Sequence, residues 1–117
     1  MELVNARSRK TLNLTTLKID NTVLNYANQH TAYMIDREKL SHENFQWRAT
    51  NLGLETGALF VGENVARATG TTSFVVNNWM KSAAHRESIE GDFTHTAISV
   101  QISPDGFQDY TQIFIKK

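Results

Sequence analysis

The sequence predicts an α+β sandwich with helices packed over a small antiparallel sheet, and three observations carry that reading. First, Val23, Ala27, His30 and Met34 recur at steps of four, three and four, which is one face of a helix about five turns long. Second, "TTSFVVNNWM" offers another helix that buries Val75, Val76 and Trp79. Third, the final third of the chain changes to period two. There "THTAISVQIS" puts Thr96, Ile98, Val100 and Ile102 on one face, and "FQDYTQIFIKK" sets Tyr110, Gln112 and Phe114 against Thr111, Ile113 and Ile115. Pro104, Asp105 and Gly106 between these runs are turn chemistry, so the two form an antiparallel hairpin. A strand with apolar groups on both faces needs cover on both sides, and the upstream helices can supply it.

The elements can be justified in order. "MELVNARSRKTLNL" starts helical with Leu3, Val4 and Ala6 inward and loses its pattern by Asn13 to Thr16. "TLKID" is a short extended piece, after which Asp20 or Asn21 can cap the next helix by accepting an orphan backbone N–H. "KLSHENFQWRATNLGLETGALF" shows no sustained periodicity and reads as a long surface segment with at most one short helical turn. "GENVARATG" reads as a turn of helix or the end of a short strand, closed by Gly70. The next helix is capped by Thr71, Thr72 or Ser73 and breaks up around Ser82 to Ala84, and Gly91 ends the segment after the break.

With 117 residues the chain is one domain, 1–117, large enough for a core of its own. Twelve Lys plus Arg balance twelve Asp plus Glu. That balance gives no field to favour nucleic acid or an anionic membrane, so no nucleic-acid partner is expected. Having no cysteine, the chain has no disulfide framework, thiol nucleophile or sulfur-based zinc site. No run approaches the roughly 20 apolar residues of a membrane span, and no signal-peptide pattern opens the chain. A signal or anchor of an exported product would be absent from this chain, and whether Met1 is the native start stays open.

The chemistry concentrates around "ALFVGENVARA", where Glu63 and Asn64 interrupt an apolar run. A buried carboxylate is costly unless paired. Glu63 could cap a short helix after Gly62, or pair with Arg67 or Arg86. Of the four histidines, His30 sits in the apolar stripe and reads as a core histidine bonded to a carbonyl or side chain. His95 starts a strand out of phase with Ile98 and reads as solvent-facing. His42 lies in the irregular "LSHENF", and the helical His-Glu-x-x-His zinc motif is absent because Gln46 and Trp47 occupy the second histidine's place. His85 follows the Trp79 helix, where the helix dipole alone could favour it. Two neutral imidazoles and one carboxylate suffice to ligate zinc with an open position for water, and the same groups could act as acid and base.

Taken in order, "ELVNARS", "LKID", "LNYANQHTAYM", "LSHENF", "GENVA", "WMKSAAHRESI" and "YTQIF" resemble the CAP superfamily of cysteine-rich secretory, antigen 5 and pathogenesis-related proteins, most closely its short bacterial branch. The resemblance covers essentially the whole chain. It implies an α-β-α sandwich with a large cleft lined by two histidines and acidic residues, and in several members the histidines hold zinc or another divalent ion. By motif, the cleft histidines fall on His42 and His85 and the first cleft acid on Glu63, with Asn64 a hydrogen-bonder that pins the loop. Ser82, or its neighbour Lys81, stands where the second acid is expected, and Ala97 and Ser99 stand where the family has glycines. The long insert and hinge cysteines of eukaryotic members are missing, so channel or venom activities do not carry over.

The resemblance therefore implies an exported or cell-envelope binding module. Its cleft (His42, Glu63, Ser82, His85) would take a divalent metal, zinc first, through His42 and His85, and an extended peptide, glycan or lipid. The alternative is a metal-dependent hydrolase or peptidase with Glu63 as general base, although nothing around Ser82 resembles a nucleophile elbow. In a third reading the cleft is vestigial and the surface acts as a scaffold.

Overall fold

The computed structural model describes residues 4, 5, 9, 10 and 12–117. Of the helical start expected from "MELVNARSRK", Leu3 and Ala6 lie outside the described residues, while Val4 is buried. The elements run β1 (Lys18–Ile19), α1 (Asn21–Arg37), α2 (Phe45–Thr56), β2 (Phe60–Ala68), α3 (Thr72–Lys81), α4 (Ala83–Ile89), β3 (His95–Ile102) and β4 (Gln108–Lys116).

The sheet order is β1-β3-β4-β2. β2 and β3 flank β4 antiparallel, with Glu63 opposite Ile113 and Ser99 opposite Thr111, while the two-residue β1 adds a parallel edge beside β3. The sheet is thus mixed; the hairpin expected from the sequence is β3 and β4, and β2 extends the antiparallel part on the other side of β4. Asp20 caps α1 by accepting from Val23 N at 3.0 Å, and Thr71 caps α3 by accepting from Phe74 N.

Strand β4 is buried almost throughout, and its alternation feeds two cores. Tyr110 and Phe114 join Val4, Leu17, Val75, Val76, Trp79 and Ile89 on the side of α3 and α4. Ile113 and Ile115 join Val23, Ala27, Leu52 and Ala97 on the side of α1 and α2. Both faces are therefore covered, as the apolar groups on both sides of this strand require.

Two elements differ from the sequence expectation. The segment expected as a long surface loop contains α2, a helix of 12 residues. Its buried positions are only Arg48 and Leu52, so half of its buried stripe is a charged residue and apolar periodicity passes it over. "GENVARA" belongs to a strand of 9 residues in which Glu63, Asn64 and Val65 are buried in succession, hiding the alternation that marks a strand. Gly62 is required there by close packing. A Cβ on it would lie 2.9 Å from Cζ of Phe93, whose ring packs on Phe114.

Arg9 ties the chain's start to the segment at and just after the end of α4. The guanidinium is buried and donates from Nε to Thr15 O at 2.8 Å, from one terminal nitrogen to Ile89 O and Gly91 O, and from the other to Phe93 O at 2.9 Å. Burial lowers its proton affinity, and the nearby Asp92 partly restores it.

Candidate functional site

Glu63 finds its partner in Arg48, a residue that sequence reasoning passed over along with α2. Arg48 Nε reaches Oε2 at 2.8 Å and a terminal nitrogen reaches Oε1 at 2.7 Å, a two-point fork with both side chains nearly inaccessible to solvent. Arg67, considered for this part from the sequence, binds Asp105 and Asp109 instead, and among the described residues no ion pair joins Arg86 to Glu63. Nor does Glu63 cap a helix, because it lies within β2. No apolar pattern points to Arg48, so only the question of which cation a buried glutamate needs could have found it.

The Arg48–Glu63 pair builds the site outward. The third arm of Arg48 donates to Glu43 O at 2.6 Å, and His30 Nε2 donates to Ser41 O at 2.7 Å, so buried groups grip the backbone on both sides of His42. His30 is the carbonyl-bonded core histidine that its place in the stripe suggested. Its Nε2 also lies 3.9 Å from Glu63 Oε1. Glu38 and Asn44 adopt left-handed backbone, turning the chain sharply at each end of the loop. His42 itself is half exposed, and its Nδ1 donates to Glu63 Oε1 at 2.9 Å. A carboxylate only accepts, so this bond places the proton on Nδ1 and leaves the lone pair of the neutral ring on Nε2.

His85 approaches from α4. Asn64 Nδ2 donates to His85 O at 3.0 Å, pinning the start of this helix to β2 beside Glu63. The imidazole stacks on Trp79, centroids 6.2 Å apart and planes 24° apart, and Trp79 in turn donates from its indole to Val65 O. His85 Nδ1 is buried and has no hydrogen-bond partner among the described residues. Ser82 sits between α3 and α4 and, with His85, lines a pocket of about 290 Å³ walled by Leu40, Val65, Val75 and Trp79. His42 and Glu63 are in direct contact. His85 and Ser82 share the pocket; His42 and Glu63 are not among its lining residues, although His42 lies near enough to lower the proton affinity of His85. His95 stands apart, half-buried rather than solvent-facing, with Nδ1 beside Thr94 Oγ1.

Burial pushes both His30 and His85 below the ordinary 6.5; Arg48 adds to this at His30 and His42 at His85, while the Ser41 carbonyl and Glu63 oppose it at His30. Both are therefore neutral at pH 7. The unfolded chain takes up these protons first as the pH falls, so stability is full above pH 6.5 and declines below it. Urea midpoints are expected to fall between about pH 7.5 and 5.5, and to fall less in His30→Gln.

Among the described residues, no three His, Asp or Glu side chains form a ready metal-ligand group. The available donors are two imidazoles, while Glu63 is committed to Arg48.

The model of the cysteine-rich secretory protein (CAP) family matches residues 1–115. The chain belongs to this family. Three solved structures share the CAP fold. An outer surface protein from Borrelia burgdorferi aligns with TM-score 0.84 at 21% identity, covering 99% of this chain and 87% of that one. An extracellular protein containing an SCP domain from Bacillus anthracis aligns with TM-score 0.74 at 28% identity over 93% of this chain. A cysteine-rich secretory protein from Staphylococcus aureus does so at 0.74 and 21% over 99%. This CAP domain spans only 36% and 38% of those last two chains. No curated protein matches the sequence. No helix among the described residues is long and apolar enough to cross a membrane.

Proposed function

We propose that this CAP domain is an extracellular binding module. Its cleft, made of the pocket lined by Ser82 and His85 and of the neighbouring His42 and Glu63, takes an apolar part of an extended peptide, glycan or lipid, with a divalent metal held through the two histidines. One observation carries the reading: a buried imidazole nitrogen without a partner among the described residues, on a residue lining an apolar pocket. Native proteins rarely leave such an atom unsatisfied, and an incoming proton donor or metal ion would satisfy it. The outer-surface and extracellular names of the aligned proteins favour the location.

The donor chemistry fits a weakly held ion. His42 keeps Nε2 free while Glu63 fixes its ring through Nδ1, the arrangement by which a carboxylate orients a metal-bound histidine. Zinc with two protein ligands would be completed by water or by the bound ligand, and would supply Lewis acidity there. Glu63 acts in this reading as a positioning group. Its fork to Arg48 favours that role over general base, and so favours a binding module over a hydrolase.

Calorimetric titration of metal-free protein with zinc near pH 7.5 tests the metal. One-to-one binding is expected, lost in the His42→Ala plus His85→Ala double variant. Binding that survives in that variant, or its absence from the parent protein, would remove the ion from the proposal and leave the pocket as a metal-free groove.

A further inference from the structure

A second pocket, of about 140 Å³, opens between α1 and α2 and is lined by Tyr26, Gln29, His30, Tyr33, Asn44, Trp47 and Arg48. Tyr26 and Tyr33 are two turns of α1 apart, so both rings project from one face. Trp47, in the first turn of α2, supplies the facing wall; its ring lies 5.8 Å from Tyr26 at 57°, forming an open corner, and it is 57% exposed although nothing in the core needs it.

The charges around this corner favour a cation. Tyr26 donates its hydroxyl to Glu55 and Tyr33 to Glu43, and in each case the carboxylate holds the phenol's proton in place. A phenol that donates to a carboxylate has a more electron-rich ring face, which strengthens cation–π attraction. The positive groups nearby are already engaged. All three donor arms of Arg48 are used on Glu63 and the Glu43 carbonyl, and the Arg37 guanidinium lies over Tyr33, 5.1 Å from its centroid. His30 is neutral, its proton affinity lowered by burial. Around the two phenols the carboxylates of Glu43, Glu55 and Asp36 outnumber the Arg37 guanidinium, which leaves this end of the pocket net negative.

From this geometry we infer that the Tyr26–Trp47 corner binds a quaternary ammonium group, the trimethylammonium head of choline or of a choline lipid, with Tyr33, whose ring carries Arg37 and stacks on His30, closing one end of the pocket. The pocket is smaller than the roughly 300–1,000 Å³ of a drug-sized site, which suits a compact headgroup. It has no aliphatic floor for a chain. None of its aromatic residues lines the histidine pocket, so a change confined to His42 and His85 leaves the aromatic walls of the corner in place.

The test is titration with choline and tetramethylammonium, followed by tryptophan fluorescence, in which Trp47 is the exposed reporter and Trp79 the buried one. The neutral isostere 3,3-dimethylbutan-1-ol has the same shape without the charge. Saturable quenching by choline is expected, with the isostere about tenfold weaker. By NMR titration, Trp47→Ala should lose binding and Trp47→Phe should keep part of it. Glu55→Gln should weaken it severalfold, and the His42→Ala plus His85→Ala variant should bind as the parent does. Co-sedimentation with phosphatidylcholine but not phosphatidylglycerol vesicles would assign the group to a lipid, and choline binding without co-sedimentation would assign it to a free molecule. Equal affinity for choline and the isostere, unchanged binding in Trp47→Ala, or saturation only by chitin-type oligosaccharides stacking on Trp47 would overturn the inference.

Discussion

Arg48→Met is expected to lower the stability of the domain by about 3–5 kcal/mol, because it leaves the Glu63 carboxylate buried without its counter-charge. Glu63's side chain is 1% exposed and accepts from both Nε and a terminal nitrogen of Arg48. His42 still donates to it in the variant, but at 51% side-chain exposure it is mostly outside the dry region. The paired change Arg48→Met with Glu63→Leu removes the orphaned charge, so most of the loss should be recovered. Urea denaturation of the four members of this cycle reads the coupling directly. A single Arg48→Met loss below about 1 kcal/mol would mean that water reaches Glu63 and the pair is a surface contact.

Arg9→Met carries the second-largest expected effect, a loss of about 3 kcal/mol. The cause is different, since Arg9 is bonded to no carboxylate among the described residues. Its charge is spread over the backbone carbonyls of Thr15, Ile89, Gly91 and Phe93. Methionine fills much of the same volume but removes the donor from the Thr15, Ile89 and Phe93 carbonyls, while Gly91 O keeps the Phe93 N–H, and each buried acceptor left unpaired costs about 1–3 kcal/mol, reduced where solvent can enter. Arg9→Lys keeps the charge but cannot span the spread of carbonyls, so it should recover only part of the loss. Because three of these carbonyls, those of Ile89, Gly91 and Phe93, lie at the end of α4 and just after it, the variant's first measurable change should be faster amide exchange around Gly91 and Phe93, ahead of global unfolding. Equal exchange there in variant and parent would show that the segment holds its place without Arg9.

Arg48 also marks the boundary between what could be read in the sequence and what could not. α1, α3 and the β3–β4 hairpin announce themselves because their buried positions are apolar and recur at the period of the element: Val23, Ala27 and Met34 on one helix, Val75, Val76 and Trp79 on another. α2 and β2 are joined by Arg48 and Glu63 instead, and a buried ion pair contributes nothing to an apolar pattern. Glu63 and its neighbour Asn64 were conspicuous as polar residues in an apolar run, and Asn64 does pin a backbone carbonyl, that of His85. Arg48, in a segment without periodicity, looks like a surface residue until its partner is found. The same blindness covered the α1–α2 pocket. Tyr26 and Trp47 look like ordinary amphipathic residues, and only their meeting across two helices gives them a joint role. The resemblance to the CAP family named the histidines, but the "LSHENF" motif stops short of Arg48.

Strand β4 lies inside the sheet and is the last strand of the domain to be synthesised. Neither core can close before it arrives, since Tyr110 and Phe114 complete one and Ile113 and Ile115 the other. Its pairing with β2 joins residues distant in the chain, from Ala68 opposite Gln108 to Phe60 opposite Lys116, so that contact forms late and slowly. A nascent chain of this design stays open and threadable until β4 has left the ribosome. For an extracellular product of the kind proposed, that delay gives a translocation machine that passes only unfolded polypeptide its interval in which to act.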